Sequence, residues 1–235
     1  MLGIIGAMSQ EVANLKSAMS DVKVEKAAGM EFYRGTIGGK DVVVVRSGIG
    51  KVNAAVCSQI LADRYQVDAI VNTGIAGSLR NEINIGDIVL SKDTLQHDMD
   101  ATGFGYSVGT IPQMDNSVFQ GDSVMIETAK ECCAQVVSEI GVHVGRVLSG
   151  DQFISSKARK AWLAETFDGY CTEMEGAAVA QTAWLNNIPF LIIRAISDKA
   201  DDSAEMDYEE FEARAIEHSV KLMLAFIAKY QEKER

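Results

Sequence analysis

Acidic residues just past apolar runs are the groups in this sequence most suited to chemistry. The first run, 2–6, leads into Ala7-Met8-Ser9-Gln10-Glu11, which puts Glu11 in the opening turn of a helical stretch. An acid there is commonly a partner of the helix dipole, and chemistry is the alternative. Arg194-Ala195-Ile196-Ser197-Asp198 ends the most hydrophobic run, so Asp198 emerges from the core beside a hydroxyl. Such a carboxyl is either a salt-bridged structural group or a general acid with a raised pKa. Glu173-Met174-Glu175 sets two carboxylates two residues apart where an alanine-rich helix opens. Helix capping by one carboxylate, Glu173 above all, is the structural reading of the pair, and chemistry is the other. Asn72-Thr73-Gly74-Ile75-Ala76-Gly77-Ser78 lets backbone approach a ligand or makes a tight turn. Gly50-Lys51 suggests a phosphate loop, but Val52 stands where Ser or Thr is needed and Val45 where a glycine is needed, which excludes a Walker loop.

These groups need an alternating α/β framework. β-rich runs fall at 2–6, 41–46, 68–72, 86–90, 144–148 and 190–196, and helical spacing at 11–19, 52–65, 117–139, 157–165, 176–186 and 208–230. Continuous apolar runs such as Val42-Val43-Val44-Val45 suit strands covered on both faces, hence a largely parallel or mixed sheet between helices. Such sheets bind ligands at the carboxyl ends of their strands, where the acidic residues lie. Residues 96–114 break the regularity with a Gly-, Asp- and Thr-rich span long enough for a functional loop.

Composition narrows the partners. With 235 residues, 47% hydrophobic, one domain spanning 1–235 is expected. The net charge of −11 disfavours nucleic acid and anionic membranes. The N-terminal run lacks a basic flank and no later run is long enough to span a bilayer, so a cytoplasmic protein is expected. Cys57, Cys132, Cys133 and Cys171 lack zinc or redox spacing, and reduced thiols are the simple reading. His97, His143 and His218 are scattered without ligand spacing, so no metal is expected.

Six segments together carry a resemblance: Gly-Ile-Ile-Gly-Ala-Met at 3–8 with Glu11, Ser-Gly-Ile-Gly-Lys-Val-Asn-Ala-Ala at 47–55, Asn-Thr-Gly-Ile-Ala-Gly at 72–77, Ser-Gly-Asp-Gln-Phe-Ile at 149–154, Glu-Met-Glu-Gly-Ala-Ala at 173–178 and Arg-Ala-Ile-Ser-Asp at 194–198. In order and spacing the chain resembles the bacterial methylthioadenosine/S-adenosylhomocysteine nucleosidases from end to end. The resemblance implies a nucleoside phosphorylase-like α/β fold, a central mixed sheet flanked by helices, as a homodimer. It implies hydrolysis of the N-glycosidic bond of 5′-methylthioadenosine, S-adenosylhomocysteine and 5′-deoxyadenosine, without a cofactor. By the same resemblance Glu11 activates the attacking water and Asp198, oriented by Ser197, protonates adenine at N7. Glu175 holds the ribose hydroxyls, with Met174 on the sugar face and Arg194 near that carboxylate. Phe153 stacks on adenine and the backbone of Ile154 reads its edge. Met8, Ile49, Ile75 and Tyr208 line the sugar and 5′ pocket, beside Glu173. Ala101, Phe104, Tyr106 and Pro112 reach into the neighbouring subunit's site.

Three positions depart from the family pattern: Ile75 where serine or valine is common, Ser78 for a frequent glycine, and Ala101 for valine. They bear on substrate preference, aminofutalosine included. The competing activity on this fold is phosphorolysis, which must gather cations around phosphate, usually arginines. The segments 9–11 and 74–76 offer none, although Arg46 and Lys51 flank one glycine turn. A nucleoside-binding protein without catalysis is the other alternative, and Glu11, Glu175 and Asp198 together argue against it.

Overall fold

The computed structural model describes residues 1–201 and 203–230. Within them run strands β1 (Leu2–Gly6), β2 (Ser20–Ala27), β3 (Met30–Ile37), β4 (Lys40–Arg46), β5 (Ala69–Ser78), β6 (Ile88–Gln96), β7 (Val118–Gln120), β8 (Val142–Ser149), β9 (Gly169–Glu173) and β10 (Phe190–Asp198). The helices are α1 (Ser9–Ser17), α2 (Lys51–Tyr65), α3 (Ser123–Val136), α4 (Lys157–Phe167), α5 (Gly176–Leu185) and α6 (Ala204–Lys229).

The strands form one mixed sheet. β1 lies between β4 and β5, parallel to both, and β10 runs parallel to β5. β10 also pairs antiparallel with β6, and β6, β8, β9 and β5 pair in succession. Strands β5, β10, β6, β8 and β9 therefore close into a ring, from which β1, β4, β3 and β2 extend as an open wing.

Side-chain alternation shows why both faces need helices. Ile4, Val42 and Val44 join a core under α1, α3 and α6 with Leu15, Cys133 and Phe226, whereas Ile5, Val43 and Val45 join one under α2 and α5 with Leu61 and Val179. A third cluster seats Leu163 and Phe167 of α4 on Leu95 and Leu148. Each such fully buried side chain contributes about 1.5–3 kcal/mol.

The expected alternation holds, with four strands added. β2 and β3 form a hairpin whose first strand, Ser-Asp-Val-Lys-Val-Glu-Lys-Ala, is exposed along nearly its whole length. β9 has only five residues. The helix expected over 117–139 is shorter: 118–120 pair with β6 as β7, and α3 starts where Asp122 caps the Val124 and Met125 N–H groups at 2.9 and 3.0 Å. The segment 73–78 continues β5 as strand and makes no turn.

Candidate active site

The carboxyl ends of β1, β5, β9 and β10 surround a cavity of about 470 Å³, lined among others by Glu11, Glu173, Glu175 and Asp198. Each of these four acids is buried. Among the described residues, no lysine or arginine side chain lines the cavity.

Glu11 is brought in by α1. Its side chain folds back so that Oε2 accepts the Met8 N–H at 2.9 Å, the reciprocal half of a capping box, while Oε1 accepts the Ile75 N–H at 3.3 Å. Burial pushes its pKa up, against the pull of the Met8 N–H and the Arg194 charge. Glu11 thus serves the start of α1 and borders the cavity with the same side chain.

β10 carries Asp198 into the cavity past a register shift between Ile196 and Asp198 opposite β5. The Ser197 hydroxyl donates to Asp198 Oδ2 at 2.8 Å and the Ala200 N–H donates to Oδ1 at 2.8 Å, which fixes the carboxyl plane.

The two glutamates before α5 divide their work. Glu173 accepts the Gly176 N–H at 3.0 and 2.8 Å and the Glu175 N–H at 3.1 Å, capping α5. It also pairs with the Arg194 guanidinium and accepts the Ser149 hydroxyl. Arg194, fully buried, reaches across to the Asn72 side chain and to the Asn72 carbonyl at 3.1 Å. Its direct partner is thus Glu173, with Glu175 felt through its charge. Among the described residues Glu175 accepts a single hydrogen bond, from the Gly50 N–H at 2.8 Å, and burial together with the Glu173 charge raises its pKa. That leaves Glu175 the carboxyl with capacity to spare for a ligand.

Apolar and aromatic groups complete the lining. Met8, Ile49, Ile75, Met174, Ile154 and Tyr208 border the cavity, as does Ser197 beside Asp198. Phe153, half exposed, meets Tyr208 edge-on with ring centroids 6.1 Å apart. The Tyr208 hydroxyl donates to Glu212 Oε1 at 3.0 Å and contacts Met8 Sδ at 3.4 Å.

Ala101, Phe104, Tyr106 and Pro112 do not line this chain's cavity; they sit on the long loop after β6, where Phe104 occupies a 3-10 turn and is 88% exposed. Lys51 and Arg46, the candidate phosphate cations, are also elsewhere: the Lys51 ammonium binds Asp98 and Gln96, and Arg46 donates to Ser9 Oγ at 3.3 Å. Among the described residues no group of three or more His, Cys, Asp or Glu is arranged to hold a metal ion.

Two glycines matter more than sequence reasoning suggested. A Cβ at Gly74 would lie 2.6 Å from Glu11 Oε1, and one at Gly77 would lie 2.6 Å from Asp198 Oδ1. The small residues of β5 are the space into which both carboxyls fit. Glycine within an apolar strand signals such close approach, although it does not say what approaches.

The profile of the phosphorylase superfamily matches residues 1–228. A 5′-methylthioadenosine/S-adenosylhomocysteine nucleosidase of Staphylococcus aureus is 39% identical over 229 residues, covering 97% of this chain and 99% of the relative. The Neisseria meningitidis nucleosidase of that name, solved with methylthio-immucillin-A, superposes with a TM-score of 0.93 at 37% identity, over 97% of this chain and 99% of that one. The Colwellia psychrerythraea enzyme, solved with adenine, gives 0.91 at 39% over 96% and 93%. The futalosine hydrolase of Helicobacter pylori gives 0.92 at 30% over 97% of each. Near-complete coverage, sequence identity and a shared fold together show that the chain belongs to the 5′-methylthioadenosine/S-adenosylhomocysteine nucleosidases of the phosphorylase superfamily.

Proposed function

We propose that this chain hydrolyses the N-glycosidic bond of 5′-methylthioadenosine and S-adenosylhomocysteine, and of 5′-deoxyadenosine, releasing adenine and the 5-substituted ribose for methionine salvage and the activated-methyl cycle. The observation that carries this reading is the convergence of Glu11, Glu175 and Asp198 on one cavity whose described lining holds no cationic side chain. Breaking C1′–N9 builds positive charge on the sugar and negative charge on the base. Buried carboxylates answer the first need, and an acid at the base answers the second.

In this mechanism Asp198, held by Ser197, donates a proton to adenine N7 as the bond lengthens. Glu11 accepts a proton from the attacking water, which adds at C1′, and its raised pKa makes it a stronger base than an ordinary glutamate. Glu175 binds the ribose hydroxyls, and Met174 packs on the sugar. Phe153 stacks on the base, whose edge the Ile154 backbone reads. Met8, Ile49, Ile75 and Tyr208 surround the 5′ substituent.

The test is adenine release from a panel of 5′-substituted adenosines in phosphate-free buffer. Adenine and a free reducing sugar are expected. Strict phosphate dependence with a ribose 1-phosphate product would overturn hydrolysis, and no release from any substrate would overturn the function. Aminofutalosine belongs in the panel because the Helicobacter futalosine hydrolase shares the fold at 30% identity.

The active form is a homodimer in which Ala101, Phe104, Tyr106 and Pro112 approach the partner's cavity. Exposure of Phe104 and of Val52 in the first turn of α2 supports this. Sizing by light scattering tests it; a monomer at assay concentration would refute it. A cytoplasmic location goes with the four buried, unpaired cysteines, and no described helix is long and apolar enough to cross a membrane. Fractionation of cells checks it.

A further inference from the structure

Lys51 lies outside the cavity lining, yet its bonds bind three segments around it. Its ammonium donates to Asp98 Oδ1 at 2.6 Å and to Gln96 Oε1 at 3.0 Å, in the loop after β6 and at the end of that strand. Asp98 Oδ2 accepts the Asp151 N–H at 2.9 Å, in the loop after β8. Asp151 Oδ1 then accepts the backbone N–H of Lys51 itself at 2.8 Å. Lys51, Asp98 and Asp151 thus close a ring of hydrogen bonds.

What the ring touches gives it a use. The Gly50 N–H, one residue before Lys51, donates to Glu175 Oε1 at 2.8 Å. Consecutive amides at the start of α2 therefore hold two carboxylates, one from the ribose side of the cavity and one from the segment that carries Phe153 and Ile154. Gly50 is suited to this: its φ is +97°, and a Cβ there would lie 3.1 Å from Asp151 Oδ1. Residues 151–153 are all exposed, so little burial holds this segment before Ile154. The ring supplies what burial does not.

We propose that Lys51 is a positioning residue for the substrate: through Asp98 and Asp151 it locks the Phe153–Ile154 loop to the helix start that holds Glu175, so that base and ribose sites keep one spacing. The inference rests on the nucleosidase reading above. Its energetic basis is a charge-assisted pair whose side chains are only 18% and 15% exposed, so that solvent and salt screen it less than a surface pair. Burial alone would raise the Asp98 pKa, yet the hydrogen bonds from Lys51 and Asp151 hold it below the usual carboxylate range. A loop that wanders by a fraction of an ångström loses pre-organised binding before it loses chemistry.

The experiment compares Lys51→Met, Asp98→Asn and the double variant with the parent in three measurements: KM and kcat for methylthioadenosine, calorimetric affinity for adenine alone, and melting temperature. Lys51→Met should raise KM and weaken adenine binding by about tenfold, while kcat changes by less than about threefold. The double variant should be no worse than the worse single one, because either change opens the same ring. Lys51→Arg, which keeps the charge, should recover part of the adenine affinity. Unchanged KM and adenine affinity in folded Lys51→Met would overturn the proposal, as would a loss confined to kcat or additive effects of the two changes. If Lys51→Met does not fold, the exposed Asp151→Asn opens the ring at its other corner and is judged by the same readouts. Failure of the parent to release adenine would refute the nucleosidase reading instead, while calorimetry still reports on the loop.

Discussion

Replacing Gly74 by alanine isolates the fit between β5 and Glu11. The new Cβ would stand 2.6 Å from Glu11 Oε1, 3.2 Å from Glu11 Cδ and 3.5 Å from Arg194 Nη1, where ordinary contact begins near 3.4 Å. The carboxylate must therefore retreat by about 0.8 Å, and its bonds to the Met8 and Ile75 N–H groups give it no free direction. Misplacement of a reacting group on the scale of 1 Å costs about 10²-fold in rate. Crowding adds about 1–3 kcal/mol of destabilisation, or roughly 2–12 °C in melting temperature for a chain of this size. The assay is steady-state adenine release, with circular dichroism to establish folding. Gly74→Ala is then placed on a Glu11→Gln background, which alone should slow turnover by about 10²–10⁴-fold. If the methyl group acts through Glu11, the second change adds less than about threefold there. Turnover of folded Gly74→Ala within about threefold of the parent, or a full 10²-fold loss in both backgrounds, would refute the reasoning.

Three further outcomes are expected. Asp198→Asn should lower kcat by about 10²–10⁴-fold with methylthioadenosine still bound, as equilibrium binding would report; turnover equal to the parent would remove Asp198 as the acid. Because burial raises the Glu11 pKa, kcat/KM should fall as pH drops through a value above the ordinary 4.5, and the same raised pKa means stability from this group is full below 4.5 and lost as pH rises through the folded value. Melting curves should accordingly show Glu11→Gln gaining on the parent as pH rises across that window; a constant difference would refute the shift. Arg194→Met leaves Glu173 buried without its partner, which should cost about 3–5 kcal/mol and lower the melting temperature by roughly 6–20 °C by calorimetry.

Much of the site was legible because Glu11 and Asp198 follow apolar runs, while Glu173 and Glu175 stood out only at the opening of an alanine-rich helix, β9 before them being short and not apolar. The run ending at Asp198 and the one preceding Glu11 announce strand ends, and ligand sites gather at such ends in α/β sheets. The β2–β3 hairpin was not legible: β2 is exposed on both sides, so no buried face imposes an apolar alternation. β7, three residues long, is shorter than any periodic signal. The small residues of 73–78 left open a tight turn or a close approach of backbone to a ligand, because glycine permits both, while the structure uses the missing Cβ atoms as room for Glu11 and Asp198.

The sequence by itself determined the alternating framework, the two-sided burial of β4 and β10, and the placing of Glu11 and Asp198 past strand ends. These are local: hydrophobic period and composition report which face a segment buries. Only tertiary structure decided the partners. Closure of β5, β10, β6, β8 and β9 into a ring, the pairing of Arg194 with Glu173, and the turning of Lys51 toward Asp98 join residues far apart in the chain. The physical reason is that a charge or a carboxyl in sequence states what it can bind, whereas packing states what it meets.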